Sequence, residues 1–257
     1  MPPEAPEPGI PEVAATGFDR AAAEYERSRP GYPAEVIDLL AAELPVHPRS
    51  RILDLAAGTG KLTRGLVRTG ARVMALEPLE GMRRQLEVVC PDVELVGGTA
   101  ESIDVGDESL DAVTVAQAFH WFDLEQALAE IARVLRPDGG LAVLWNVRDE
   151  TESWVADMSR VIRWDERQIA DYKTTDWPSA LRASGRFERV TRHQHRWEQS
   201  MTKERLADRV RSISYVAASP EADQQQVVDE VLALVADLPD TFPLPYVTDI
   251  YCCHRIE

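Results

Sequence analysis

Between Arg51 and Trp145 the chain alternates short apolar runs with segments of helical spacing, and few folds accept that order. Arg51–Leu55 is a run of strand length, Ala56–Gly60 a turn of small residues, and a helix continues through Leu66 and Val67. Arg72–Leu76 reads as a second strand, followed by a helix carrying Met82, Leu86 and Val89. Val93–Val96 is a third strand and Leu110–Ala116 a fourth. A helix is expected over Leu124–Leu135, a turn over Arg136–Gly140 and a fifth strand over Leu141–Trp145. Such alternation builds parallel βαβ units into a doubly wound α/β sheet. Sheets of this kind take ligands beyond the carboxyl ends of their strands, where the strand order reverses. The expected crevice therefore lies at Asp54–Gly60 and Ala116–Trp121.

The flanks complete the plan. Residues 1–17 form a Pro-rich, acidic segment expected to be a flexible tail. Residues 18–257 are expected to make one domain, with a core over about 34–147 and further strands and helices over 148–257. A helix is expected at 34–44 from Val36, Ile37, Leu40 and Leu44. Beyond Trp145 the spacing predicts a helix over 153–170, a strand over 187–197, helices near 203–217 and 224–238, and a last strand over 246–254. Helices enclosed by two strands suggest that the sheet closes there under a helical cap. No apolar run approaches the roughly 18 residues of a membrane span, and the first residues lack the apolar stretch of a secretion signal. Three cysteines make no disulfide framework, so reduced thiols and a cytoplasmic setting are expected. With 25 Arg against 3 Lys, and abundant Ala, Val and Asp, the composition suggests a GC-rich bacterial genome. A net charge of −16 argues against a general nucleic-acid binder.

The sharpest segment is Ile52–Gly60, ILDLAAGTG. Gly58 and Gly60 allow a ligand to approach the backbone without Cβ interference. Glu77, at the end of the second strand, can accept from two ribose hydroxyls. A nicotinamide or flavin site would want a third glycine, as G-x-G-x-x-G, and Asp54 beside the turn would repel a pyrophosphate. S-adenosylmethionine has no phosphate, and its cationic groups suit nearby acids. A tight turn with no ligand is the plainer alternative.

From here the chain resembles the class I S-adenosylmethionine-dependent methyltransferases. The resemblance rests on DLAAGTG, with Ala56 in place of that family's first glycine; on Glu77-Pro78 followed by Met82; on Gly98–Glu101; on DAVTVAQAFHWFD at 111–123; and on ARVLRPDGGLAVLWN at 132–146. Upstream, FDRAAAEYERSRPGYP at 18–33 resembles the N-terminal arm of a small-molecule subgroup that includes trans-aconitate-like enzymes. The resemblance implies a Rossmann-like seven-stranded sheet with an N-terminal arm and a C-terminal helical cap. It implies that Asp54, Gly58 and Gly60 surround the methionine part of the cofactor, that Glu77 holds the ribose, and that Pro78 and Met82 flank the adenine. Ala100 and Glu101 would meet the adenine edge. Ala116 and Gln117 would offer carbonyls to the ammonium. Tyr25 and Arg29 would belong to the arm closing over the cofactor, Arg29 as a carboxylate partner.

Phe119–Phe122, FHWF, follows the fourth strand on the side where the family places the transferring methyl group. His120 and Trp121 are the candidate catalytic residues. A neutral His can take a proton from a hydroxyl acceptor, and a Trp N–H can orient a carboxylate. A purely structural loop is the alternative. His193, His195 and Cys252-Cys253-His254 match no strong zinc spacing, so no metal is expected. Residues 182–211 carry nine Arg or Lys against four acids, which reads as a solvated surface or as a rim drawing an anionic substrate. The expected reaction is methylation of a small-molecule acceptor at a carboxylate or hydroxyl oxygen. Carbon or nitrogen methylation, a catalytically silent cofactor-binding protein and a nicotinamide oxidoreductase are the alternatives.

Overall fold

The computed structural model describes residues 22–163 and 175–256. The expected tail at 1–17, the first residues of the arm and the far part of the helix expected at 153–170 lie outside these residues. The strands are β1 (Arg51–Leu55), β2 (Arg72–Leu76), β3 (Glu94–Val96), β4 (Gly98–Thr99), β5 (Ser102–Ile103), β6 (Leu110–Ala116), β7 (Leu135–Arg148), β8 (Phe187–Thr202) and β9 (Thr241–Arg255). Seven of them form one sheet in the order β3-β2-β1-β6-β7-β9-β8, and β4 and β5 pair separately. The strands from β3 to β7 run parallel, whereas β9 is antiparallel to both of its neighbours. The strand order reverses between β1 and β6, which sets the crevice at their carboxyl ends.

The central strands are apolar almost throughout because both of their faces are covered. On one face Ile52, Val73, Ala112, Ala142 and Leu144 pack under Val36, Ile37 and Leu40 of the helix Ala34–Glu43. On the other, Leu53, Leu55, Val113, Val115, Val143 and Trp145 meet Leu128 and Ile131 of the helix Leu124–Val134 and Trp177 of the helix Trp177–Ala183. Period-two alternation along each strand sorts the residues between these faces. Asp123 begins the helix Leu124–Val134 by accepting from the Gln126 N–H at 3.1 Å.

The cap has its own core. The helices Lys203–Arg211, Ser214–Ala217 and Glu221–Leu234 lie between β8 and β9, and the helix Ser153–Val161 joins them. Val155, Met158, Leu206, Val210, Val228 and Val231 bury themselves against Phe242, Leu244 and Tyr246 of β9.

The strands and helices depart from the sequence expectation in several places. Arg136–Gly140 is not a turn before the fifth strand. Leu135 already pairs with Leu110, and the ladder slips before Gly140 resumes it opposite Ala112. Asp138, at φ 64°, carries the irregularity, as a bulge does inside a strand. β8 and β9 are longer than expected because their pairing runs from Phe187 opposite Arg255 to Thr202 opposite Thr241. The helix expected at 203–217 breaks after Arg211, and the one expected at 224–238 is shifted to Glu221–Leu234.

Burial in the cap core gives a direct stability expectation. Leu206→Ala should cost about 2–5 kcal/mol in denaturant unfolding, whereas Val190→Ala, on the half-exposed outer strand, should stay within about 0.5 kcal/mol.

Candidate active site

The site is built on two buried carboxylates. Asp54, the next-to-last residue of β1, has no exposure. It accepts from the Thr63 hydroxyl at 2.6 Å and from the Thr114 hydroxyl of β6 at 3.0 Å. Burial pushes its carboxyl up to about 6, and the two hydroxyl bonds pull in the opposite direction. Glu77 follows β2. One of its oxygens accepts from the Gly58 N–H at 2.8 Å and the other from the Leu79 N–H at 2.8 Å. Burial raises the Glu77 carboxyl, and these two amides lower it. Each oxygen keeps a lone pair beyond the backbone contact.

The turn between them is left-handed at alternate residues, with φ 57° at Ala56, 59° at Gly58 and 82° at Gly60. Ala56 holds this conformation despite its Cβ, a local strain of roughly 1–2 kcal/mol. The two glycines answer different needs. A Cβ on Gly58 would point into open space, leaving the backbone accessible to a ligand. A Cβ on Gly60 would lie 2.6 Å from Leu86 Cδ1, so Gly60 lets the turn pack on the helix Glu80–Val89.

The other expected residues divide between the crevice and the scaffold. Pro78 is exposed, while Met82 and Ala100 are buried. Glu101 accepts from the Asp123 N–H at 3.1 Å, tying the β4–β5 hairpin to the loop after β6. Ala116 ends β6, and Gln117 follows at φ 64°. The Gln117 backbone N–H donates to Leu144 O at 2.9 Å, and its side-chain amide donates to Asn146 O at 3.4 Å. His120 and Trp121 lie in a short 3-10 turn, Phe119–Trp121, with ring centroids 4.7 Å apart. The Trp145 indole N–H donates to His120 Nδ1 at 3.3 Å. A neutral imidazole accepting at Nδ1 carries its proton on Nε2. Phe119 is fully buried against Phe122 and Trp177.

The arm is tied to the turn by a residue that sequence reasoning missed. Glu26, on the helix Ala22–Ser28, accepts from the Thr59 hydroxyl at 2.5 Å and pairs with Arg64 at 2.8 Å. Lys61 Nζ donates to the Glu26 carbonyl at 2.7 Å. Three residues on, the Arg29 guanidinium lies 5.1 Å from the Tyr25 ring centroid and donates to Ser212 O in the cap at 3.1 Å. Asn146 donates to Gly31 O at 3.0 Å. Glu26 stood inside the arm motif, but its three partners at 59, 61 and 64 were visible only once the chain was folded. Among the described residues of 182–211, most basic side chains are ordinary surface groups. Arg189 pairs with Asp138, Arg192 with Asp249 and Arg196 with Asp149. Arg209 is the buried exception.

With this geometry in place, comparison with known proteins is informative. A methyltransferase-domain family model matches residues 53–143. A Mycobacterium tuberculosis protein described as an uncharacterized methyltransferase is 42% identical over 236 residues, covering 90% of this chain and 92% of its own. A methyltransferase-like protein of Schizosaccharomyces pombe is 31% identical over 223 residues, 86% of this chain and 87% of its own. A solved structure described as a type II methyltransferase from Anaeromyxobacter dehalogenans superposes with TM-score 0.67 at 23% identity, over 88% of this chain and 97% of that one.

The buried Asp54 carboxyl gives a pH expectation. Its folded value, about 6, lies above the ordinary 3.8. The folded state therefore holds a proton that the unfolded state gives up in that interval. The contribution is complete below pH 3.8 and lost as pH rises through 6. Asp54→Asn, which cannot ionise, should gain stability relative to the wild type across this window. At roughly 1.4 kcal/mol per unit, the gain is on the order of 3 kcal/mol. Urea unfolding of both proteins at stepped pH checks this, and parallel curves would remove Asp54 as the titrating group.

Proposed function

The chain belongs to the class I S-adenosylmethionine-dependent methyltransferases and uses S-adenosylmethionine as its methyl donor; from that premise we propose that it methylates a small organic acid at a carboxylate oxygen. No helix among the described residues is long and apolar enough to cross a membrane, and a cytoplasmic metabolite is the expected acceptor.

The residues at the crevice fit the cofactor. The open Cβ position at Gly58 leaves room for close backbone approach. Two carboxylates at the turn suit a ligand with cationic groups and no phosphate. When bound, the cofactor supplies a methyl group on a sulfonium that is displaced in line by a nucleophile. In this reading Glu77 holds the ribose hydroxyls through its remaining lone pairs, and Asp54 keeps the turn negative. Gly58 and Gly60 shape the floor, Pro78 and Met82 flank the adenine, and Ala100 and Glu101 meet its edge. The carbonyls of Ala116 and Gln117 take the ammonium. Tyr25 and Arg29 roof the site, with Arg29 toward the cofactor carboxylate. Positioning then supplies most of the rate.

The observation that carries the choice of acceptor is the Trp145 indole on His120 Nδ1. It turns His120 toward donation through Nε2 rather than proton removal. A carboxylate oxygen needs no base, and a donor at that position orients it. Trp121, beside His120, contributes shape and its indole N–H. A hydroxyl acceptor is the second reading and would require His120 to reverse this tautomer.

Two sets of variants test the proposal. Glu77→Ala should weaken S-adenosylmethionine by about tenfold or more, because charge-assisted bonds of roughly 1.5–3 kcal/mol are lost. Calorimetric titration of the folded variant checks it, and wild-type affinity would take Glu77 out of the site. Turnover to S-adenosylhomocysteine with a panel of organic acids, alcohols and amines identifies the acceptor class. With a carboxylate acceptor, His120→Ala should lower kcat by no more than about tenfold, short of the 10²–10⁴-fold typical of general-base loss. Trp121→Ala should then be the more damaging change. A deeper loss in His120→Ala, with a rate that falls as the imidazole protonates, would favour the hydroxyl reading.

A further inference from the structure

Buried cations gather where the arm, the end of β7 and the cap meet. Arg209, on the cap helix Lys203–Arg211, is 5% exposed, and its Nε and Nη1 find no acceptor. Arg29 gives Nη2 to Ser212 O at 3.1 Å, while its Nε has no acceptor. The Tyr246 hydroxyl of β9, in a side chain 1% exposed, also has no hydrogen-bond partner among the described residues. Arg148, at the end of β7, is 8% exposed and donates to the Ser159 hydroxyl at 3.3 Å, which in turn donates to Glu150 at 2.6 Å. Among the described residues, neither Arg29 nor Arg209 has a carboxylate within ion-pair distance.

An uncompensated buried guanidinium is expensive. Burial and the Arg209 charge depress Arg29 to about 9, and the same two causes depress Arg148 to about 10. Arg209 and Arg29, each with a donor that finds no acceptor among the described residues, next to a buried hydroxyl that can also donate, are complementary to one planar anion. The position matters too: Arg148 is the last residue of β7, two past Asn146 and paired with Tyr246 of β9, on the side of the crevice away from Glu77.

We propose that Arg209, Tyr246 and Arg148 form an anchoring site for a carboxylate of the methyl acceptor that is not itself methylated, so that the substrate carries at least two acidic groups. This rests on the methyltransferase reading above and specifies its substrate. The same chemistry could be supplied by the carboxylate of the cofactor, which the proposal leaves to Arg29, and the test separates the two sources.

The thermal midpoint of the full chain is measured with succinate, citrate, inorganic phosphate and neutral succinamide, each against chloride at matched ionic strength. Measurements are made with and without saturating S-adenosylhomocysteine. A carboxylate probe should raise the wild-type midpoint saturably, and succinamide should not. In Arg209→Met the apparent affinity for that probe should fall by about tenfold or more, and Arg209→Lys should restore part of it. S-adenosylhomocysteine affinity in Arg209→Met should remain within about twofold of wild type. The ligand-free Arg209→Met protein should be at least as stable as the wild type, because it no longer buries an unpaired charge.

Several results would overturn the site: no carboxylate acting differently from chloride, phosphate preferred to every carboxylate, or an Arg209→Met protein that fails to fold. A loss of S-adenosylhomocysteine affinity in Arg209→Met would assign the anion to the cofactor instead. If the wild type binds no S-adenosylhomocysteine, the methyltransferase reading fails, and the cofactor-free carboxylate series still judges the anchor.

Discussion

The crevice depends on a carboxylate that water cannot reach. Asp54 joins β1 to β6 through Thr114 and to the following helix through Thr63. These three elements diverge at the point where the sheet changes direction, and an open crevice there needs a tie beneath it. A hydroxyl in place of the carboxylate could accept from both threonines only by sharing one oxygen. The carboxylate supplies two oxygens, one for each, at the cost of a buried charge held near its ionisation point. Glu77 repeats the arrangement one layer higher, fixing Gly58 and Leu79. The turn is thus held by side chains that also give the crevice its sign.

That sign changes across the molecule. The crevice floor is acidic at Asp54 and Glu77, whereas the junction of arm, β7 and cap is basic at Arg29, Arg148 and Arg209. A cationic donor and an anionic acceptor would each meet the opposite charge, and their approach would be favoured by a field already in place. The protein as a whole is strongly acidic, so the buried arginines are a local reversal rather than an extension of surface charge. The surface arginines of β8 are largely neutralised by Asp138, Asp149 and Asp249, which keeps the reversal confined to the interior.

How far the sequence reaches depends on the range of the interaction. The parallel core was legible because burial on both faces writes itself as apolar runs, and the turn was legible because ILDLAAGTG combines an acid with two glycines. The sequence suggests a ligand as the reason for Gly60; the packing reason, Leu86, sits 26 residues away in the chain and meets the position of an added Cβ at 2.6 Å. The bulge at Arg136–Gly139 read as a turn because Pro, Asp and Gly are common to both, and only the Leu135–Leu110 pairing distinguishes them. Arg148, Arg209 and Tyr246 lie outside every quoted motif, and Glu26 and Asn146 lie inside motifs that say nothing of their own contacts. Their meaning comes from partners contributed by different elements or, for Arg209, from two donors that find no acceptor among the described residues.

The arm shows how these parts can act together. Glu26 holds the helix Ala22–Ser28 onto Thr59, Lys61 and Arg64, at the end of the Ala56–Gly60 turn and the start of the helix after it. Arg29, one turn further, reaches Ser212 in the cap, and Gly31 receives Asn146 from β7. The segment between Glu26 and Gly31 therefore touches the Ala56–Gly60 turn, the cap and the end of β7. A change that loosens the Glu26 contacts removes the anchor from which Arg29 is presented, although neither residue touches the other's partners. In the proposed reading, a cofactor at the Ala56–Gly60 turn and an anion at the cap would therefore both rest on the same short stretch of chain, fixed at one end by Glu26 and at the other by Arg29 and Gly31.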